Sequence, residues 1–316
     1  EMMERIALDL EGVERALASS FNTGSEDFNT LIRPLSEAGG KRLRAQLCLL
    51  IANAGTSVEE ERIKIAEAVE MLHLATLIHD DVLDQAEIRR GEETIHKHKG
   101  NKVAILSGDY LFAKAFRIVS EMPHMEYLKI FSHIITCLVE GEFMQMEDVY
   151  RIDQGIDRYM TKTQKKTADF MEGCMELGGL LGGWSSDEIM YLKRYGHALG
   201  MAFQITDDIM DYRETSDTTG KPVGNDLREG LLTYPLLSIV NESNQNQLLQ
   251  DIKNLNHGGN EQEIIDYVIA QGGIDNTLRV AQQYCDDALS ALQSIRDFDG
   301  KEFLVLAVQN LADRKV

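Results

Sequence analysis

Residues His79 to Asp84 read HDDVLD, and residues Thr206 to Asp211 read TDDIMD. Each copy has the form DDxxD inside an apolar stretch, and their first aspartates lie 127 residues apart (207 − 80). A helix advances about 100° per residue, which puts Asp84 about 40° and Asp81 about 100° from Asp80, on one side. Asp207, Asp208 and Asp211 repeat the arrangement. A charge run is ordinarily a solvated face. Here the flanks Leu77, Ile78, Val82 and Leu83, and Ile205, Ile209 and Met210, predict partly buried faces. Carboxylates crowded there cost several kcal/mol unless something neutralises them. Hard divalent cations would do so: Mg²⁺ takes oxygen ligands, keeps several waters and joins carboxylates to phosphate oxygens. Two such helices facing each other predict a small group of Mg²⁺ ions with an open side for a diphosphate.

The basic residues predict a second kind of phosphate site. Arg89 and Arg90 follow the first acidic cluster, GGKRLR contributes Lys41, Arg42 and Arg44, and KKTADF contributes Lys165 and Lys166. Each run alone reads as a solvated loop. Together they are locally basic sites in a chain whose net charge is −20. Guanidinium forks suit phosphate and lysines add point charge. One diphosphate held through metal and another held directly would use both sets. His96 and His98 in HKHKG have the spacing of a metal pair, but the segment reads as an exposed loop.

The elements that must carry these residues are helices. The 316-residue chain is 43% apolar and has four prolines. Stretches such as 58–82 place helix formers with apolar residues three and four apart, which predicts an all-α protein. Ser57–Glu60 and Ser185–Glu188 have the spacing of a capping box. Breaks are expected at Gly100, Pro123, 215–226, 256–260 and 271–273. No Pro- or Ser-rich linker divides the chain, so a single domain over 1–316 is expected. A surface this acidic repels nucleic acid and anionic membranes. Cys48, Cys137, Cys174 and Cys285 lack CxxC spacing and predict free thiols in a reducing compartment. The acidic first twenty residues do not resemble a signal peptide, and no apolar run would span a bilayer. The expected location is the cytoplasm.

The two DDxxD motifs, GGKRLR, HLATLIHDD, RRG, GEFMQ, KKTADF, GMAFQITDDIMDY and GKPVGNDLREG, in this order, resemble the trans-isoprenyl diphosphate synthases, or polyprenyl synthetases. The match runs from about Gly39 to Pro235. The resemblance implies an antiparallel all-α bundle around a deep central cavity, usually homodimeric. It implies head-to-tail (1′-4) prenyl transfer: an allylic diphosphate ionises, isopentenyl diphosphate attacks the cation, and a proton is lost. Carried over residue by residue, the metal ligands would be Asp80, Asp84 and Asp207, supported by Asp81, Asp208 and Asp211, with two or three Mg²⁺ ions on the allylic diphosphate. Arg89, Lys166 and Lys221 would contact that same diphosphate. Lys41, Arg44, His73 and Arg90 would bind isopentenyl diphosphate, which must not ionise. Thr167 and Gln204 would stabilise the cation through oxygen dipoles, and the departing diphosphate would serve as base.

Members that stop early carry an aromatic four or five residues before the first aspartate. Here Thr76 and Ala75 stand there, and both are small. A helical turn rises about 5.4 Å, roughly one isoprene unit. The resemblance therefore implies a medium or long all-trans product of roughly C30 to C40, with Phe112 or Phe116 as the floor. Leu231 departs from the pattern, which carries a lysine there for the allylic diphosphate. That departure suits either an autonomous enzyme with a weaker site or the catalytic subunit of a two-component synthase with a small regulatory partner. A shorter-chain (C15 to C20) synthase is an alternative. A class I terpene cyclase would share the first motif but lack both GGKRLR and a second DDxxD, and a non-catalytic partner would have lost one Asp cluster.

Overall fold

The computed structural model describes residues 1–37, 40–89, 91–213 and 223–313. Arg90 and Lys221 lie outside the described residues. Two compact units emerge, one of Glu1–Ser132, Gly173–Met190 and Asp297–Gly300, the other of His133–Glu172, Tyr191–Arg296 and Lys301–Val316. As the composition predicts, the described residues are predominantly helical, with one short two-stranded ladder.

In the first unit, α1 (Met2–Ser20) and α2 (Glu26–Glu37) precede α3 (Leu43–Asn53) and α4 (Glu59–Leu83). Residues 47–52 of α3, LCLLIA, are all fully buried, as expected of a helix that is apolar all round. Each such leucine contributes about 1.5–3 kcal/mol of burial. The end of α3 is tied down by polar groups: Asn53 Nδ2 donates to Asp9 Oδ2 (2.7 Å), and Arg62 holds both oxygens of Asp9. Trp184 Nε1 caps Ile51 O at 2.9 Å. Beyond α4 comes a two-stranded ladder, β1 (Ile88–Arg89) and β2 (Glu92–Glu93), then α5 (Ile95–Lys99) and α6 (Asn101–Ser120). The HKHKG loop expected from sequence is thus the short helix α5. His96 bonds Ala86 O and His98 lies 3.9 Å from Glu93.

Further along the chain are α7 (Met125–Glu147), α8 (Ile156–Thr163), a π-helical turn (Gln164–Ala168), α9 (Asp169–Leu181) and α10 (Ser186–Arg213). They are followed by α11 (Asn225–Glu229), α12 (Tyr234–Leu237), α13 (Gln245–Asn254), α14 (Glu261–Ala270), α15 (Gly273–Gln293) and α16 (Lys301–Asp313). The core of the second unit joins Ile205, Ile209 and Tyr212 of α10 to Leu227, Leu236, Ile264 and Val268. On α15 the buried residues Ile274, Thr277, Ala281, Cys285 and Ala288 recur every three or four positions, one stripe of an amphipathic helix.

The two expected capping boxes part company. Ser185 and Glu188 make the reciprocal bonds, Glu188 N to Ser185 Oγ and Ser185 N to Glu188 Oε2, both 3.3 Å. At the other, Val58 is the N-cap and no side chain caps the helix. Ser57 Oγ instead donates back to Ala52 O at 2.6 Å, so the preceding helix end has claimed the hydroxyl.

Candidate active site

The first DDxxD motif sits on the last turn of α4, with Asp84 as its C-cap donating N–H to Asp80 O at 2.8 Å. Carbonyl oxygens converge there, and the last turn carries no basic residue. Each carboxylate near that negative end costs about 0.3–1 kcal/mol, so the turn favours a cation. Asp80 is half-buried and Asp84 exposed one turn later. Asp81 is buried and turned aside: Arg89 on β1 donates Nε and Nη2 to Asp81 Oδ1, each at 2.8 Å. The cluster therefore splits into an accessible pair and an internal ion pair. Leu83, expected to be partly buried, is 51% exposed because α4 ends there.

Upstream on α4, His73 meets Arg44 of α3, with Arg44 Nη1 3.5 Å from His73 Nε2. Burial lowers the pKa of that guanidinium, with Glu70 opposing the shift. Lys41 remains exposed. Arg42, grouped with them by its motif, serves another purpose. It takes the left-handed conformation at the start of α3 (φ 49°) and pairs with Glu14 at 2.8 Å and buried Glu70 at 3.0 Å.

On the flank of α4 that carries His79, Ala75 is closed into the packing. Thr76 is half-buried, its hydroxyl donating to His73 O at 2.7 Å. His79 bonds Ile105 O of α6 and tilts against Phe112, ring centres 5.4 Å apart. Phe116 makes an edge contact with Phe131 at 6.3 Å. A separate cavity of about 850 Å³ in this unit runs along Leu74, Leu77, Ile78 and Asp81 of α4, with Phe28 and Leu31 of α2.

The second unit holds the other cluster near the end of α10. Asp207 is exposed, Asp208 buried and Asp211 half-buried. A chain of hydrogen bonds orders this end. Thr167 Oγ1 donates to Gln204 Oε1 at 3.1 Å, Gln204 Nε2 donates to Asp208 Oδ1 at 3.0 Å, and Tyr159 OH donates to Asp208 Oδ2. With one amide hydrogen given to Asp208 and one oxygen lone pair taken by Thr167, Gln204 Oε1 keeps a second lone pair. Burial pushes the Asp208 carboxyl up to about 7, with Asp207 and Asp211 adding to the rise. Asp211 is raised by burial as well. Its Oδ1 accepts the Asn225 N–H at 3.1 Å, while Oδ2 is buried with no hydrogen-bond partner among the described residues. The buried Asp211 oxygen and an all-oxygen donor set fit a hard divalent cation such as Mg²⁺.

Lys166 and Thr167 lie in the π turn, a wide turn that recurs at functional sites. Lys166 Nζ reaches Gln145 Oε1 at 2.7 Å and Glu142 Oε1 at 2.6 Å, both on α7. Two glycines let the turn in. A Cβ at Gly141 would stand 2.6 Å from Lys166 Cγ, and one at Gly200 would stand 2.6 Å from Ala168 Cα. A cavity of about 110 Å³ is lined by Gln145, Lys162, Lys166, Gln204, Asp208 and Leu231. Tyr159 and Lys162 were missed by sequence reasoning, since neither belongs to a motif. The only signal was Tyr159 seven residues, two helical turns, before Lys166.

A family model, polyprenyl synthetase, matches residues 25–271. The chain belongs to the polyprenyl synthetase family. Octaprenyl diphosphate synthase of Escherichia coli (strain K12) is 33% identical over 306 residues, covering 96% of this chain and 94% of the relative. Heptaprenyl diphosphate synthase component 2 of Geobacillus stearothermophilus is 32% identical over 287 residues, covering 91% and 90%. Among solved structures, the polyprenyl synthase from Caulobacter crescentus CB15, complexed with calcium and isoprenyl diphosphate, superposes with a TM-score of 0.90. It is 30% identical and covers 100% of this chain and 97% of that one. Like other polyprenyl synthetases, this is an all-α prenyltransferase.

Proposed function

We propose that this chain joins isopentenyl diphosphate head to tail to an allylic diphosphate, yielding an all-trans polyprenyl diphosphate of roughly C30 to C40. The observation that carries the reading is the ordered Thr167–Gln204–Asp208 chain beside Lys166 in a polyprenyl synthetase with two DDxxD motifs. Asp80, Asp84 and Asp207 are the proposed Mg²⁺ ligands, two or three ions in all. Asp81, Asp208 and Asp211, each tied by protein hydrogen bonds, are the supporting carboxylates. Magnesium, when bound, would supply the charge that makes diphosphate a leaving group.

The protein's own groups do the rest. Arg89, Lys166 and Lys221 grip the allylic diphosphate and Lys41, Arg44, His73 and Arg90 grip isopentenyl diphosphate, which keeps the two reactants in register. The oxygens of Thr167 and Gln204 face positive charge developing on the allylic carbon. The alkene of isopentenyl diphosphate forms the new C–C bond, and the departed diphosphate takes the proton. Thr76 and Ala75, with Phe112 and Phe116, bound the growing chain.

Exposed apolar residues on α6 (Ile105, Leu106) and on α7 (Val139, Phe143, Met146) support a homodimer. Four buried free thiols support a reducing compartment, the cytoplasm. The component 2 relative supports a second reading, in which a small partner subunit sets product length. The test incubates purified protein with Mg²⁺, radiolabelled isopentenyl diphosphate and a C10, C15 or C20 allylic primer, then sizes the products. Elongation into the C30 to C40 range is expected. No elongation from any primer, with or without a small subunit, overturns the reading.

A further inference from the structure

Lys162 has no place in the roles above, yet it stands in the wall of the small cavity that Lys166, Gln204 and Asp208 share. It lies in the last turn of α8, four residues before Lys166. Its side chain is only 12% exposed, and Nζ donates to Gln154 Oε1 at 2.6 Å and lies 2.8 Å from Asp148 Oδ2. Asp148 does not depend on it. Arg158 Nε reaches both oxygens of Asp148, at 2.7 and 2.8 Å, and Arg151 adds a contact at 3.3 Å. Burial, opposed by Asp148 and reinforced by Arg158 and Lys166, lowers the Lys162 pKa, so holding this ammonium here costs free energy. A lysine that its partner can spare, buried near a second lysine, is explained by an anion that both would face. Leu231, where the resemblance led us to expect a lysine, is in the wall of the same cavity.

Resting on the function proposed above, we infer that Lys162 is a binding residue for the allylic diphosphate, supplying from α8 the positive charge that Leu231 does not. Asp148 and Gln154 hold its ammonium group at the cavity wall, so little side-chain freedom is lost on binding.

The experiment is steady-state kinetics of the Mg²⁺-loaded enzyme with a C15 allylic diphosphate and isopentenyl diphosphate, each varied in turn. Lys162→Met is expected to raise KM for the allylic diphosphate about tenfold, the scale of one lost charged hydrogen bond, and to leave KM for isopentenyl diphosphate unchanged. Lys162→Arg should retain most of the affinity. Adding Leu231→Lys to Lys162→Met should restore the allylic KM to within about threefold of wild type, which a purely structural lysine would not allow. Thermal unfolding and calorimetric titration with inorganic pyrophosphate and Mg²⁺ accompany each variant, and pyrophosphate affinity should follow the allylic KM. An unchanged allylic KM in Lys162→Met, beside a Lys166→Met enzyme that has lost activity, would overturn this inference and leave the proposed function standing. A lowered unfolding midpoint with both KM values altered and no rescue by Leu231→Lys would make Lys162 a folding residue and overturn it too. Wild-type protein inert with every primer would remove the proposed function and this inference with it.

Discussion

Six aspartates look alike in two copies of one pattern, but their surroundings give them different work. Asp81 forms an ion pair with Arg89, and Asp208 is shut in by Tyr159 and Gln204, whereas Asp80 is half-buried and Asp84 and Asp207 are exposed. The helix phase explains the division: 100° separates neighbours, enough to send the second aspartate of each motif into packing while the first stays more accessible. The same phase bears on product length. Thr76 lies one turn before Asp80, while Ala75 is fully buried, where a large ring would overpack the interior. Thr76→Phe is expected to shorten the product by one or more isoprene units with the enzyme still folded, read by chromatography of the hydrolysed products. An unchanged distribution would mean that the chain follows another wall.

At the scale of elements, the π turn between α8 and α9 packs so closely on Gly200 that a single methyl group bears on it. Gly200 lies one turn before Gln204, and its closest neighbour is the backbone of Ala168, next to Thr167. Gly200→Ala must push the turn away, at a cost of about 1–3 kcal/mol, and stretch the Thr167–Gln204 hydrogen bond. Chemical denaturation should report the lost stability. Turnover should fall about tenfold or more, since misplacing an electrostatic group costs on that scale. Wild-type turnover in a destabilised variant would remove the hydrogen bond from the mechanism. Element boundaries were largely legible beforehand: α4 fills the expected 58–82 stretch, α6 begins after Gly100 and α15 after Gly272. The Ser57 box failed because a serine between two helix ends can serve either one, and local spacing does not say which.

For the whole molecule, four buried thiols have a measurable consequence. Burial pushes Cys48 and Cys137 up to about 12, the latter helped by Asp169, and raises Cys174 as well. Native protein at pH 8 should release fewer than about one equivalent of chromophore with Ellman's reagent, against all four thiols after unfolding. Rapid reaction of several thiols in the native state would contradict the packing described. Among the described residues no helix is long and apolar enough to cross a membrane.

The sequence by itself determined the helical class, the family and the positions of both acidic motifs, because these depend on local periodicity and on spacing along one segment. It also singled out Lys166, Thr167 and Gln204, of which the structure joins Thr167 to Gln204 by a hydrogen bond and sets Lys166 and Gln204 in the wall of one cavity. Only the tertiary structure decided that Arg42 belongs to Glu14 and Glu70, that Arg89 holds Asp81, and that Tyr159 and Lys162 share a cavity with Lys166. Those pairings join residues on different elements, where burial and charge choose the partner. No period along a single strand of sequence carries that information.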